Sequence, residues 1–228
     1  MDVAQAKRQV AESALTELPV AGVVGLGSGS TTKLFIEEVA HLVATGRRLV
    51  AVPTSEASRR QAQSLNIPLL DDDGPWDIAV TVDGADEVDG RLNLIKGGGA
   101  AHTREKIVNF ASRRNVIIVD KSKLSDCIGE HRAVPVEVLR FGHGMAVRAL
   151  ARFGRPVLRM GGGDRPIITD TGNFVYDVFT GAISDPASLD RELRQIPGVV
   201  ETGLFIGRAD VVLVAGEHGV ERLCKDPR

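Results

Sequence analysis

Cysteine is scarce in this 228-residue chain, with only Cys127 and Cys224, far apart and in no CxxC pair. Two such residues cannot build a zinc site alone, and a reducing, cytoplasmic setting is the simplest expectation. No apolar run approaches the roughly 18 residues that a membrane span needs. The opening "MDVAQAKRQVAESAL" has no long apolar core of a secretory signal. Positive charge is not in excess either. The formal net charge is −2, which argues against a nucleic-acid partner. Internal repeats and low-complexity tracts are absent. What remains, 43% hydrophobic and 25% charged residues, is ordinary globular composition, long enough for one large domain or two small ones.

The first half alternates short apolar runs with helical patterns. "VAGVVGLG" (20–27) precedes "STTKLFIEEVAHLV" (30–43), and "RLVAVPTS" (48–55) precedes "EASRRQAQSL". "DIAVTVD" (77–83), a shorter "LNLIK" (92–96) and "NVIIVD" (115–120) read as further strands, with a helix over 100–114. Such alternation predicts a parallel sheet covered on both faces. After about residue 130 the order becomes strand, helix, strand, strand, helix, strand, ending in "GVVETGLF". That is a ferredoxin-like pattern. "ADVVLVAG" (209–216) is again an uninterrupted apolar run, suited to the parallel sheet. The expected architecture is therefore α/β: a Rossmann-like domain, 1–130 plus 207–228, closed by a last strand and helix, with a ferredoxin-like α+β domain, 131–206, inserted.

Ligands of open α/β sheets bind beyond the C-terminal strand ends, and four unusual loops fall there. "GLGSGSTT" (25–32) offers glycine backbone and the hydroxyls of Ser28, Ser30 and Thr31 at a helix start, which favours an anion such as phosphate. Counted from Gly25, GxGxxG meets Ser30 at its last glycine, and no GK[ST] follows, so neither nucleotide fingerprint fits. A plain turn with a Ser/Thr cap is the alternative. "VDGADEVDG" (82–90) gathers Asp83, Asp86, Glu87 and Asp89 where a strand ends. It could hold a metal, move protons or be a polar turn, but histidines and EF-hand spacing are missing. Asp83 and Asp86 lie at the ligand edge, whereas Glu87 and Asp89 are expected to face solvent, as is the run Asp71–Asp73. "KGGGAAHTREK" (96–106) sets three glycines beside Lys96 and puts Glu105 in the first turns of a helix. Glu105 could equally be a dipole partner, and His102 a packed or surface histidine. In "DKSK" (120–123), Lys121 or Lys123 could meet phosphate as a point charge or sit in water. Together these loops suggest a small phosphorylated substrate and proton-transfer chemistry, with no metal.

These motifs resemble ribose-5-phosphate isomerases of the A type, and the likeness continues through "PVEV", "TDTGN" and "IPGVVETGLF" over nearly the whole chain. Ser28 stands where threonine is frequent, His102 where an apolar residue is usual, and "MGGGDRPI" (160–167) looks like a small insertion. The resemblance implies cofactor-free interconversion of ribose 5-phosphate and ribulose 5-phosphate through an enediolate. It implies Glu105 as the base, Lys96 with Gly97, Gly98 and Gly99 around the sugar oxygens, and Asp83 and Asp86 on hydroxyls and ring opening. Gly84 and Ala85 would line the same loop. Ser28, Gly29, Ser30, Thr31 and Lys123 would meet the phosphate end. The family usually forms homodimers, sometimes dimers of dimers, and no nucleic-acid or membrane partner is expected. Two other readings remain open here. A sugar-phosphate sensor would need a DNA-reading module, for which about 20 residues before the first strand are too few. A CoA-transferase-like enzyme would use a Glu nucleophile.

Overall fold

A computed structural model describes residues 3–217 and 219–225. The chain opens with α1 (Val3–Ala14), β1 (Ala21–Leu26), α2 (Ser30–Ala44), β2 (Arg48–Pro53) and α3 (Glu56–Ser64). Then come β3 (Ile78–Asp83), β4 (Glu87–Val88), β5 (Leu94–Ile95), α4 (His102–Ala111) and β6 (Asn115–Asp120). Next are β7 (Val134–Val138), α5 (His143–Leu150), β8 (Arg155–Leu158), β9 (Phe174–Phe179) and α6 (Pro186–Arg194). Last are β10 (Val199–Thr202), β11 (Leu204–Phe205), β12 (Val211–Gly216) and β13 (Gly219–Cys224). The chain divides into two compact units. One comprises Met1–Ala85, Arg104–Lys123 and Arg208–Arg228, the other Asp86–Thr103 and Leu124–Gly207. Segments 86–103 and 124–130 thus group with the second unit, whereas the change of sequence rhythm near residue 130 assigned them to the first.

The first unit is a Rossmann-like α/β sheet in the order β13-β12-β6-β3-β1-β2. Strands β2, β1, β3, β6 and β12 are parallel. Alternate residues point to opposite faces. Val24, Leu26, Val80, Val82, Val116, Ile118 and Leu213 meet Val10 and Ala11 of α1, Phe35 and Val39 of α2 and Ala62 of α3. On the other face Val52 and Ile78 meet Val108 of α4. Coverage on both sides explains why every residue of β12 is buried and apolar or glycine. The chain runs outward from β1 to β2, then returns to β3 on the other side of β1. The β1/β3 boundary is therefore the switch point, where a crevice opens at the strand ends. One expectation fails at the C-terminus. Gly219–Cys224 is not a helix but a strand, antiparallel to β12 with Gly216 opposite Gly219. Val220 packs on the core and Arg222 reaches Glu17, so alternation with period two governs the segment.

The second unit contains the ferredoxin-like β7-α5-β8-β9-α6-β10, an antiparallel sheet in the order β10-β7-β9-β8. Val134, Val136, Val138, Tyr176 and Val178 turn to Ala146 and Leu150 of α5 and Leu193 of α6. Pro135, Glu137 and Asp177, one residue out of phase, lie on the opposite face. A second, three-stranded antiparallel sheet orders β11-β5-β4. Sequence 92–96 therefore belongs here, with only Leu94 and Ile95 in a strand. The apolar run "GVVETGLF" is two strands, not one, because the chain changes sheets at Gly203. The Gly203 N–H donates to the Pro135 carbonyl and its carbonyl accepts from the Lys96 N–H.

Candidate active site

The residues singled out in the sequence divide between the two units. In the first, the loops after β1 and β3 meet at the switch point. Asp83, the last residue of β3, is 3% exposed. Its Oδ1 accepts the backbone N–H groups of Ser28 at 3.0 Å and Gly84 at 2.7 Å, which fixes the carboxylate between the two loops. The approach is close: a Cβ on Gly27 would stand 2.2 Å from that Oδ1 and 2.6 Å from the Asp83 Cα. Only glycine fits there. Ser28 Oγ turns inward to a hydroxyl cluster with Thr54 (2.9 Å), Ser55 (2.7 Å) and Ser58 (3.3 Å). Ser58 in turn donates to the Gly27 carbonyl at 2.6 Å. Outward, α2 starts at Ser30 behind Gly29, which makes no side-chain cap hydrogen bond. Its first N–H groups thus carry the helix's positive end. Helix α1 packs along α2 and brings the Lys7 ammonium to 2.8 Å from Ser30 Oγ. Thr31 follows in the first turn of α2.

Also in this unit, Glu105 lies in the first turn of α4 and is buried, at 5% exposure. Its neighbour Arg104 pairs with Glu56 of α3 at 2.6 Å and with Asp72 at 3.6 Å, tying the start of α4 to α3. The Arg104 hydrogen bond holds the Glu56 carboxyl below its usual range. Asp71–Asp73 is exposed, as expected, although Asp72 is engaged by Arg59 as well. Lys121 and Lys123 sit in a short 3-10 turn after β6, and the Lys121 side chain crosses Gly216.

In the second unit, Asp86 Oδ2 accepts the Gly98 N–H at 2.7 Å, and the Asp86 N–H donates to the Ile95 carbonyl at 2.8 Å. A Cβ on Gly98 would come within 2.8 Å of Asp86 Oδ1. Lys96 is buried with its ammonium 5.4 Å from the centre of the Phe205 ring, a favourable cation–π geometry. Gly97 holds φ +108° and its carbonyl accepts from the Ala100 N–H. Asp86, Gly98, Arg132, Arg159 and Asp177 are among the residues around a cavity of about 250 Å³. His102 is fully buried against Gly97, a packed histidine.

Two carboxylates of the acidic loop depart from expectation. Glu87 and Asp89 do not face water; they are 1% and 8% exposed. Glu87, in β4, accepts backbone N–H groups from Gly129 (2.9 Å), His131 (3.1 Å) and Arg132 (3.2 Å). Asp89 accepts from Arg91, from the Asn93 backbone and from the Asn93 amide. Each replaces solvent with a set of aimed donors, the condition for burying a charge. Glu137 of β7 does the same with Thr103, Thr169 (2.9 Å), Thr171 and Asn173 (2.8 Å). Burial pushes its carboxyl up, but these four donors outweigh that and leave it below the usual value. Among the described residues, no three His, Cys, Asp or Glu side chains are grouped as metal ligands, and no helix is long and apolar enough to cross a membrane.

Comparison with known proteins gives the chain a family. The sequence profile of ribose 5-phosphate isomerase A (phosphoriboisomerase A) matches residues 50–219. Ribose-5-phosphate isomerase A of Thermosynechococcus vestitus is 47% identical over 93% of this chain and 92% of that one. This chain belongs to the ribose 5-phosphate isomerase A family. The enzyme of that name from Bradyrhizobium diazoefficiens is 44% identical over 96% of this chain and 95% of its own. Among solved members, ribose 5-phosphate isomerase A of Methanocaldococcus jannaschii superposes with TM-score 0.93 at 39% identity, over 98% of this chain and all of that one. A D-ribose-5-phosphate isomerase in complex with phospho-erythronic acid reaches TM-score 0.95 at 40% identity, with the same coverage.

Sequence reasoning missed several polar residues that the family fold brings to these loops. Lys7 lies on a helix that the spacing of Ala6, Val10 and Ala14 signals, yet nothing local marks its ammonium as special. Thr54, Ser55 and Ser58 were visible as "TSEAS", where Ser55 caps α3 by accepting the Ser58 N–H at 3.1 Å. Arg159 had no sequence signal, because the glycine carbonyls it meets are some 60 residues away. Glu137 stood inside the family motif "PVEV" and its partners Thr169, Thr171 and Asn173 inside "TDTGN", but nothing in the sequence paired the two.

Proposed function

We propose that this protein interconverts ribose 5-phosphate and ribulose 5-phosphate. The observation that carries the reading is a pair of glycine loops, each gripping one aspartate by a backbone N–H, in a member of this isomerase family. The complex of a 40%-identical relative with phospho-erythronic acid, a phosphorylated sugar acid, supports a phosphosugar substrate here. The interconversion moves one proton between C2 and C1 and one between the two oxygens, with no net gain or loss of electrons, so no redox cofactor is called for. Glu105 takes the carbon-bound proton as general base, giving an enediolate, and returns it to the neighbouring carbon. The Lys96 ammonium and the backbone of Gly97–Gly99 counter the developing oxyanion. Asp83 and Asp86 hold hydroxyls, assist ring opening and exchange the oxygen-bound proton. Gly84 and Ala85 contribute backbone beside them. The phosphate is met by the start of α2 with Gly29, Ser30 and Thr31, by Lys7 and by Lys123. Ser28 supports that loop mainly from within.

The reading extends to a cytoplasmic homodimer or dimer of dimers, consistent with two free thiols, Cys127 and Cys224; light scattering measures the assembly. The deciding experiment follows ketose formation from ribose 5-phosphate by EDTA-treated protein, with Glu105→Gln alongside. Turnover by the wild type and its loss in the variant are expected. Retention of more than about a tenth of wild-type kcat would remove the base assignment, since general-base catalysis contributes about 10²–10⁴-fold. Binding of ribose 5-phosphate without turnover would favour a sugar-phosphate sensor.

A further inference from the structure

The peptide between Gly97 and Gly98 is held at both ends by charged side chains of the second unit. Its N–H donates to Asp86 Oδ2 at 2.7 Å, while its carbonyl accepts Arg159 Nη1 at 2.6 Å. The same Nη1 lies 3.2 Å from the Gly98 carbonyl, so one guanidinium touches two successive peptides. Arg159 is itself locked. Its Nε donates to Asp177 Oδ2 at 2.9 Å, and Nη2 pairs with Oδ1 of the same carboxylate. The register explains the lock. Val157 pairs with Asp177, and the Arg159 N–H donates to the Val175 carbonyl, so Arg159 and Asp177 are diagonal neighbours on one face of the sheet.

A guanidinium on a carbonyl draws electron density through the peptide and strengthens the N–H at its far end as a donor. In a trans peptide N–H and C=O point in opposite directions. The Gly98 and Gly99 N–H groups are therefore directed away from Arg159. Arginine suits this position because two of its nitrogens stay on the carboxylate while the third serves the carbonyls, a division that a lysine point charge cannot reproduce. We propose that Arg159, clamped by Asp177, is a positioning residue for the isomerisation, fixing and polarising Gly97–Gly99 so that Asp86 and the loop N–H groups keep the orientation the enediolate requires. This rests on the isomerase reading above.

The test compares wild type, Arg159→Ala, Arg159→Lys and Asp177→Asn by steady-state kinetics, thermal melting and the amide resonance of Gly98. Arg159→Ala is expected to lower kcat by about 10- to 100-fold, the scale of a sub-ångström to ångström misplacement of catalytic groups. KM should stay within about threefold, the mark of an interaction expressed in the transition state. Added methylguanidinium should restore part of that kcat, Arg159→Lys should recover little, and Asp177→Asn should fall between. A kcat within about twofold of wild type in Arg159→Ala overturns the proposal. So does a loss of activity that tracks lost thermal stability with no guanidinium rescue. If Arg159→Ala does not fold, wild-type kcat in Arg159→Lys overturns it equally. A wild type that does not isomerise ribose 5-phosphate defeats the functional reading instead. In every case the Gly98 amide tests the contact itself: an upfield move in Arg159→Ala, as its hydrogen bond weakens, shows that the guanidinium polarises this peptide, and an unmoved resonance overturns the proposal.

Discussion

Two glycine loops, one in each unit, solve the same problem with different means. Each brings a backbone N–H to one aspartate: Ser28 to Asp83 in the first, Gly98 to Asp86 in the second. The first loop joins the buried end of a six-residue strand to a 15-residue helix and is backed by the hydroxyls of Thr54, Ser55 and Ser58. Regular secondary structure on both sides sets its shape. The second loop is framed on one side only: α4 follows it, but β5 before it is two residues long and Gly98 and Gly99 are exposed. Its carbonyls are instead caught by a guanidinium contributed some 60 residues later. A loop framed by long elements carries its geometry locally; one that is not must borrow rigidity from distant side chains.

Alanine at the two glycines is the sharpest way to break this comparison. At Gly98 the new Cβ meets only the tip of the partly exposed Asp86 carboxylate. A fall in kcat of about 10²-fold is expected, with melting little changed. At Gly27 the Cβ also meets backbone, the Asp83 Cα at 2.6 Å. That variant should lose stability as well, by about 1–3 kcal/mol. Parallel kinetics and thermal melts on both proteins decide, and matching profiles would erase the distinction.

Glu137→Gln sharpens the comparison from the side of the support. Four hydrogen bonds hold the ionised form, and leaving such donors poorly matched costs about 1–3 kcal/mol. The carboxyl is depressed from its usual 4.5 in the folded state. The unfolded chain therefore binds more protons in between, and this stabilisation is full above that unfolded value and lost as pH falls through the folded one. Denaturant melts should find the wild-type advantage constant near neutrality and closing in acid. An advantage independent of pH down to acid unfolding would assign the loss to packing alone.

The smallest effect concerns the outer side of the first loop. Lys7→Met should raise KM for ribose 5-phosphate about tenfold, the scale of one charge-assisted contact. Because the lysine acts as a charge, added salt should raise KM more in the wild type than in the variant. Equal salt dependence would remove Lys7 from the phosphate end.

Much of the first unit was legible because its signals are local. "GLGSGSTT" after an apolar run and before a helix places the loop, and the parallel sheet follows from strands alternating with helices. Asp83, Asp86, Lys96 and Glu105 could be singled out as candidates, but spacing could not rank them; the family resemblance did. Glu87 and Asp89 were misread because an acidic cluster looks the same whether water or backbone N–H groups surround it. Their donors at 129–132 and 91–93 emerge only from the folded loop. The C-terminal strand was misread for a related reason: "GVERLC" can follow either period, and pairing with β12 selects one.

The sequence by itself determined where strands end and helices begin, which loops carry glycine beside carboxylate and lysine, and which family the chain resembles. These properties depend on neighbours a few residues apart. Only the tertiary structure decided which carboxylates are buried as struts, that Lys7 reaches Ser30, and that Arg159 grips Gly97 and Gly98. Those depend on hydrogen-bond donors and acceptors far apart in the chain, and a buried charge is tolerable only where such partners arrive together.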